Sequence, residues 1–359
     1  MVDPNYDYAA EYGDYDQHTI GIVGCGEIVE SAHLPAYADA GFSVAGVTDV
    51  DDERAQAVAD EFDLEVFPDI ETLADSVNVV DVAVPPMFQR EIVETVVDAG
   101  CHVLCQKPLA MDFEDASAIR TAVEDAGVIA AVNQQMRWEK SIRAVKDLLG
   151  EGALGTPLRA TLEVNIETDF SNWGWMEETD HLEVMFHSIH YLDALRYLFG
   201  EPAGVSSTMA TAPGQASIGE TRTLHVLTYG NDLRATIDVN HNNWADPYAR
   251  FRFEGTDGAV RGSIGLFDYY PESGPDTFEY LERSRDKWES HEVPDAWFPD
   301  AFIGTMGSLL RGIETGDTPP THLADNIETL RLANATYKSW NEGRTVDPAT
   351  IESTHEPEL

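Results

Sequence analysis

The sequence predicts a two-domain α/β protein, with a doubly wound parallel sheet in the N-terminal half and helices with a mainly antiparallel sheet in the C-terminal half. Two observations predict this division. Up to about residue 132, short apolar segments alternate with helical segments, and repeated strand–helix units form parallel sheets. After about residue 156, segments of alternating apolar and polar residues follow one another across short turns, as antiparallel strands do.

The N-terminal half begins with an apolar strand at Thr19–Val23, then two glycines and a helix that continues to Tyr37. The pattern predicts further strands at 44–48, 79–84, 102–105 and 128–132, and helices at 51–62, 91–99 and 113–126. Ligands of such sheets bind at the carboxyl ends of the strands. We therefore expect one crevice lined by the residues that follow the strand ends: Pro85, Pro86, Gln106, Lys107, Asn133, Gln134 and Gln135.

The C-terminal half begins with a predicted helix at 140–149 and a strand at 156–166. After a histidine-bearing helix, strands are predicted at 203–212, 221–229, 232–240, 248–254 and 259–264, and helices at 302–314 and 323–341. We expect the two last helices to pack back on the first domain. An antiparallel sheet of this size leaves a large face open, so pairing of two chains through it is expected.

Composition excludes several classes of partner. The 359 residues include 65 acidic and 22 basic side chains, a formal net charge of −43 that repels nucleic acid and anionic membranes. No apolar stretch approaches the roughly 20 residues of a membrane span, and the N-terminus has no signal-peptide pattern, so a cytoplasmic protein is expected. The three cysteines indicate neither a disulfide framework nor a metal site; they are Cys25, Cys101 and Cys105.

The acidic residues are spread along the whole chain, which is typical of proteins adapted to high salt; an ordinary acidic protein is the alternative. Because molar salt shortens the Debye length to about 3 Å, it screens repulsion between like charges. We predict that stability and activity rise steeply as KCl increases into the molar range, as measured by thermal unfolding and turnover. Full activity in dilute buffer would contradict this.

A glycine turn follows the first strand. Gly24 suits a tight turn, and Gly26 allows the backbone to approach a pyrophosphate at the start of the next helix, where Glu27 and Ile28 follow. The third position, usually Gly or Ala, is Val29. A simple strand-to-helix turn is the alternative interpretation.

Asp49 ends the second strand, 25 residues after Gly24, where a ribose-binding acid is expected. Its carboxylate would accept hydrogen bonds from both adenosine ribose hydroxyls and repel a 2′-phosphate, so NAD is expected rather than NADP. The alternative is that Asp49 only caps the following helix.

Five segments in order carry a family resemblance: GIVGCGEIVESAHLPA, VAVPP, AGCHVLCQKPLAMD, AVNQQMRW and HSIHYLDALRYLFGEP. From about residue 18 to 346 the chain resembles the glucose-fructose oxidoreductase, inositol dehydrogenase and MocA (Gfo/Idh/MocA) family. The resemblance implies a Rossmann domain at 18–138 and an α/β domain with a large open, mainly antiparallel sheet at 139–346, between tails at 1–17 and 347–359. It also implies a homodimer or homotetramer formed through that sheet.

The resemblance implies that Lys107 is the catalytic lysine, because the family's Glu-Lys-Pro motif falls on Gln106-Lys107-Pro108. A lysine at a strand end can hydrogen-bond a substrate hydroxyl and stabilise developing negative charge. Gln106 departs from the family's glutamate, and it lacks the charge that would stabilise the Lys107 ammonium.

The family's second motif places an Asp four residues before a His on a helix. Here His190 is retained, and Phe186 stands at the Asp position. Either Lys107 and His190 act alone, or His187 or Glu183 supplies the missing polar contact. The spacing of His187, His190 and Asp193 also allows a metal site, but apolar neighbours already account for the helix, so no metal is expected and Asp193 is expected to serve a polar interior network.

Substrate contacts are expected from aromatic and charged residues near the crevice, since indole faces suit sugar rings and charged groups fix hydroxyls. The candidates are Arg137, Trp138, Trp173, Trp175, Asp180, His187 and His190. For each tryptophan the alternative is a place in the core, and for Arg137 an internal salt bridge.

The expected function is an NAD-dependent dehydrogenase that acts on a CH–OH group of a sugar, sugar acid or polyol. Two alternatives stay open: an NAD-dependent glycosidase that oxidises its substrate transiently, and a nucleotide-dependent sugar sensor without turnover.

Overall fold

The computed structural model describes residues 15, 17–170, 174–230, 232–264, 276–293 and 297–351. These residues form two compact units. The first unit comprises the described residues up to Trp138 together with Phe298–Glu328, and the second comprises Glu139–Trp297 together with the described residues from Thr329 onward.

The first unit contains a six-stranded parallel sheet with the strand order β3-β2-β1-β4-β5-β6. Its strands are β1 (Thr19–Val23), β2 (Ser43–Thr48), β3 (Glu65–Val66), β4 (Val79–Val82), β5 (His102–Cys105) and β6 (Ala130–Val132). Its helices are α1 (Leu34–Ala40), α2 (Asp52–Phe62), α3 (Ile70–Ala74), α4 (Pro86–Asp98) and α5 (Phe113–Ala126), and α9 (Ala301–Thr315) packs on β5 and β6. The predicted doubly wound parallel sheet is confirmed.

The central strands form because they are almost entirely apolar. Every residue of β4 and all but the first residue of β1 and β5 are buried, as expected for a parallel sheet covered on both faces. Several predicted boundaries differ from the structure, two of them beside the predicted crevice. Strand β4 ends at Val82 rather than at 84, and α4 begins at Pro86 rather than at 91, because proline is well suited to the first turn of a helix.

The second unit contains an eight-stranded sheet with the order β14-β13-β12-β11-β7-β10-β9-β8. Its strands are β7 (Pro157–Asn165), β8 (Gly204–Ala210), β9 (Arg222–Tyr229), β10 (Leu233–Asn240), β11 (Tyr248–Gly255), β12 (Gly258–Ser263), β13 (Thr277–Glu282) and β14 (Glu289–Glu292). Only the β7–β10 pair is parallel, so the predicted mainly antiparallel sheet is confirmed. The sequence did not predict β13 and β14, whose many acidic residues weaken the apolar alternation.

The described residues also form α6 (Lys140–Gly150), α7 (Gly174–Glu177), α8 (Ile189–Phe199) and α10 (Leu323–Glu342). Helices α6 and α8 pack together. One face of the eight-stranded sheet lies beneath α8, and its buried residues include Leu162, Ile237 and Phe253. Among the described residues, none of the helices is long and apolar enough to cross a membrane.

Candidate functional site

The glycine turn after β1 has the geometry of a phosphate-binding turn. Gly24 has a φ of +98°, and a Cβ atom there would lie 2.6 Å from the carbonyl oxygen of Ala83, so only glycine fits. A Cβ atom at Gly26 would meet nothing within 4 Å. The space beside Gly26 is therefore open to a ligand, and the helix that begins at Glu27 directs its first N–H groups there.

Asp49 is fixed beside this turn. Its carboxylate accepts hydrogen bonds from the backbone N–H of Cys25, at 2.6 Å, and of Asp51, at 2.9 Å. The cap of α2 is Asp51, whose side chain accepts from the N–H groups of Glu53 and Arg54. The alternative role of Asp49 as the cap of that helix is therefore wrong. Because a carboxylate has about four acceptor positions, Asp49 can accept two more hydrogen bonds.

The other predicted cofactor residues follow strand ends of the same sheet. Pro85 and Pro86 lie at the start of α4, after β4, and Gln135 begins a buried turn after β6. Gln106 and Lys107 follow β5 directly. The loop that holds them is fixed by Gln89 of α4, whose amide donates to the carbonyl oxygens of Gln106, at 3.0 Å, and Pro108, at 2.7 Å.

Lys107 is half-buried, and its backbone N–H donates to the Gln106 side-chain oxygen at 2.8 Å. Burial lowers the pKa of the Lys107 amine to about 8. Desolvation favours the neutral amine, so near neutral pH this side chain can both take up and release a proton.

The predicted histidine helix of the second unit does not begin as a regular α-helix. Val184–Ser188 forms a π-helical turn that runs directly into α8. The buried Glu220 holds its start, accepting from the N–H of Leu182 at 3.2 Å and of Val184 at 3.0 Å. Burial raises the pKa of Glu220 to about 7. Single π-helical turns are frequent at functional sites.

Glu183 serves the interior of the second unit. It is fully buried and accepts from the hydroxyls of Ser188 and Thr223, each at 2.6 Å, and His241 Nε2 lies 3.9 Å from it. Burial acts to raise its pKa, but His241 and the hydroxyl donors outweigh that effect and lower it. These contacts occupy the carboxylate, so we do not assign it the polar contact missing at Phe186.

The two histidines lie against aromatic rings. The ring of His187 packs at 4.4 Å from that of His241, and the ring of His190 meets Trp297 edge-on at 5.7 Å. His187 is half-buried and His190 is buried. Phe186, at the position of the family's aspartate, packs edge-on against Trp175 at 5.1 Å. That position is therefore apolar in this chain.

Asp193 belongs to an interior network, as predicted. It is fully buried and accepts from the hydroxyl of Thr329 at 2.6 Å, with the guanidinium of Arg196 at 3.7 Å. Arg196 in turn donates to Glu201 and Thr329. Within the described residues, no group of three or more His, Cys, Asp or Glu side chains is arranged to hold a metal ion.

The remaining predicted substrate residues have varied surroundings. Arg137 is buried and donates to the carbonyl oxygen of Pro320, at 2.7 Å, and to Asp325, at 2.5 Å, and the buried Trp138 packs against Gly304. Asp180 is exposed next to His181. Trp173 lies outside the described residues. The substrate contacts of these four residues stay predictions.

Three buried residues near Lys107 were not selected from the sequence: His33, Asp81 and Gln89. Asp81 interrupts the apolar strand β4, and a carboxylate inside a parallel sheet requires hydrogen-bond donors. The acidic residue within an apolar strand was therefore the signal in the sequence that a buried polar group lies here.

Two family models match this chain and identify its family. A model described as "Oxidoreductase family, NAD-binding Rossmann fold" matches residues 18–134, and one described as "GFO/IDH/MocA C-terminal domain" matches residues 142–261. Together they cover about two thirds of the chain. The chain belongs to the GFO/IDH/MocA oxidoreductase family.

Relatives of this chain include proteins named as sugar dehydrogenases. A D-apiose dehydrogenase of Paraburkholderia graminis is 28% identical and covers 92% of this chain and 90% of that protein. The D-xylose 1-dehydrogenase (NADP(+)) 2 of Haloferax volcanii is 24% identical over 91% of this chain and 98% of its own. An oxidoreductase from Agrobacterium radiobacter, solved with NAD+, L-tartaric acid and magnesium, has the same fold, with a TM-score of 0.83, 24% identity and coverage of 93% and 99%.

We predict that Gly26→Ala leaves the thermal stability unchanged, because its methyl group meets no protein atom, but weakens dinucleotide binding by about 5- to 150-fold. A methyl group in the path of the pyrophosphate costs about 1–3 kcal/mol. Calorimetric titration with NAD and NADP measures the binding. Gly24→Ala is the control: its positive φ and its clash with Ala83 should lower stability as well. Native affinity in Gly26→Ala would place the pyrophosphate elsewhere.

Proposed function

We propose that this protein is an NAD-dependent dehydrogenase that acts on a CH–OH group of a sugar, sugar acid or polyol. The observation that carries the proposal is Lys107, a half-buried amine with a pKa lowered to about 8 at the carboxyl end of β5, in a sheet whose glycine turn and Asp49 fit a dinucleotide. The D-apiose and D-xylose activities named for relatives support the sugar class.

The dinucleotide fits the residues of the first unit. Gly26 leaves open space at the start of a helix, and Asp49 has acceptor positions left for the adenosine ribose hydroxyls. When bound, the nicotinamide would accept or donate the hydride. The negative charge of Asp49 disfavours a 2′-phosphate, which supports NAD rather than NADP.

The protein's part in the reaction is proton transfer and orientation. In the oxidation direction, neutral Lys107 accepts the proton of the substrate hydroxyl, and in the reduction direction its ammonium returns that proton. The Gln89 side chain donates to two backbone carbonyls of the loop that contains Lys107 and so holds the loop in place. Less reorganisation is then needed when the proton is transferred. We propose His190 as the second proton-transfer group and His187 as a hydroxyl contact.

We also propose that the chain associates through the outer face of the eight-stranded sheet, defined as the face on which Glu163, Arg250 and Arg261 lie. Strand register places six arginines on this face: Arg159, Arg222, Arg234, Arg250, Arg252 and Arg261. Five acids share it: Glu163, Asp238, Glu254, Glu279 and Glu292. In a chain with 65 acidic and 22 basic residues, this balance means that two copies meeting through the outer face repel each other less than the overall charge of the chain would suggest.

The test of the proposed function is turnover at different pH values with pentoses, hexoses, their acids and inositols, in KCl, with either dinucleotide. Because the pKa of Lys107 is lowered to about 8, its neutral form increases through that pH, so substrate oxidation should rise to a plateau above about pH 9 and reduction should fall. Lys107→Ala should lower kcat/KM by about 10²–10⁴-fold with NAD binding intact. Lys107→Arg keeps a positive charge at all these pH values, so the rise of substrate oxidation with pH should be lost in this variant as well.

Native turnover in Lys107→Ala would remove the lysine from the reaction. Tight NAD binding without net turnover on any substrate would contradict the dehydrogenase proposal. If that sample cleaved glycosides, an NAD-dependent glycosidase that oxidises its substrate transiently would replace the dehydrogenase as the proposed function.

Asp49→Ser should lower kcat/KM with NAD by about 10–100-fold, because two ribose hydrogen bonds are worth about 1–3 kcal/mol, and should lower the value with NADP less or raise it. Asp51→Ser is the matched control. It removes the charge of the neighbouring acid but keeps a side-chain oxygen that can cap α2, so both the stability and the preference between the two dinucleotides should stay close to native. An unchanged preference in Asp49→Ser would disprove the assigned role.

Association through the outer face predicts that a double variant, Arg250→Glu with Arg261→Glu, is monomeric at protein concentrations where the native chain is an oligomer. Light scattering during gel filtration in KCl measures the mass. Arg120→Glu, a charge reversal on α5 in the first unit, should leave the mass unchanged. A native monomer, or a double variant of native mass, would contradict the proposal.

A further inference from the structure

A chain of buried and half-buried polar side chains leads to Lys107 in the first unit. It runs from Asp81 in β4 to His33, in the π-helical turn Val29–His33, and on to Gln106 at the end of β5. His33 Nδ1 lies 2.6 Å from the Asp81 carboxylate, and His33 Nε2 lies 3.2 Å from the Gln106 amide nitrogen. Asp81 and His33 are both fully buried.

Asp81 determines which nitrogen of His33 carries a proton. An ionised carboxylate only accepts hydrogen bonds, and in the middle of an apolar sheet it requires donors. One donor is the hydroxyl of Tyr37, at 2.6 Å from the same carboxylate oxygen as His33 Nδ1. Burial, together with the charge of Asp81, raises the pKa of Tyr37 well above its usual value, so that hydroxyl keeps its proton. His33 is therefore the second donor, with its hydrogen on Nδ1.

Gln106 determines the state of the other nitrogen. Its side-chain oxygen accepts from the Lys107 N–H at 2.8 Å, so its amide NH₂ faces His33 Nε2. The amide nitrogen of Asn133 approaches the same atom at 3.3 Å, while its oxygen lies 2.9 Å from the hydroxyl of Thr305. Two NH₂ groups that face one imidazole nitrogen require it to accept, so His33 is neutral in this arrangement.

Other elements around this chain add few charges. On β5, the Cys105 thiol is buried near Asp81, and both effects raise its pKa, so it remains protonated. Helix α9 contributes the ring of Phe302, at 4.9 Å from that of His33, and the hydroxyl of Thr305. The charges that remain around His33 are then those of the Asp81 carboxylate and the Lys107 amine, at the two ends of this row of side chains.

We propose that His33 is a positioning residue for Lys107, and that Gln106 keeps it neutral. Asp81 orients His33, His33 orients the Gln106 amide, and the Gln106 oxygen holds the backbone of Lys107. A glutamate at position 106 has no hydrogen to donate, so His33 would have to donate from both nitrogens and become an imidazolium between two carboxylates. The residue at position 106 thus sets the charge next to Lys107. This inference rests on the proposed function only for the role of Lys107.

The first test is a long-range ¹H–¹⁵N NMR measurement of the histidine rings in the whole protein with NAD, with the His33 signal assigned by its loss in His33→Gln. At pH 7 the native protein should show neutral, Nδ1-protonated His33, and Gln106→Glu should show imidazolium. Gln56→Glu is the matched control, because Gln56 is exposed on α2 and bonds only locally to Asp60. An imidazolium at pH 7 in the native protein, or an unchanged His33 in Gln106→Glu, would overturn the proposal.

The second test is the pH profile of turnover. In Gln106→Glu the carboxylate is the nearer charge to Lys107, so the midpoint of the oxidation profile should move to higher pH. His33→Gln should lower kcat at least tenfold with little change in KM, because Gln106 loses its orientation but the substrate contacts remain. A native midpoint and kcat in both variants would overturn the positioning role. A protein without turnover but with the predicted NMR states would refute the proposed function and leave the His33 assignment standing.

Discussion

Parallel pairing of the central strands is the constraint on which the first unit depends. Because β2, β1, β4, β5 and β6 run in one direction, their carboxyl ends meet at one edge of the sheet. Asp49, the Gly24 turn, Pro85 and Lys107 each follow one of these ends. The apolar character of the strands thus places side chains from distant parts of the sequence beside one another, and it does so before any ligand binds.

Sequence patterns predicted this unit well because its rules are local. A buried strand is an apolar run, a glycine turn requires glycine for steric reasons, and the acid at the end of β2 falls at a spacing set by one strand–helix–strand unit. The short elements β3 and α3 were missed because two and five residues carry too little periodicity. The residues of the candidate site that directly follow strand ends could therefore be predicted from the sequence.

The place of Asp193 in a polar interior network was predicted, but the partners within the buried polar networks were not, because most of them are far apart in sequence. His33 meets Asp81, Gln106 and Asn133 only when three strand ends and a helix come together. In the second unit, the π-helical turn lies where the sequence predicts a regular helix, and Ser188 bonds Glu183 across five residues, a contact that the α-helical spacing of three or four residues does not predict. In both units a buried carboxylate lies near a histidine and a hydroxyl, and each carboxylate contacts a residue of a π-helical turn that leads into an α-helix.

The most direct test of the account is an experimental structure of the protein with bound NAD. We predict that the adenosine ribose hydroxyls bind the carboxylate of Asp49, that the pyrophosphate lies over Gly26, and that the nicotinamide ring lies beside the Lys107 amine. A nicotinamide ring remote from Lys107, or a dinucleotide that does not contact the Gly24 turn, would contradict it.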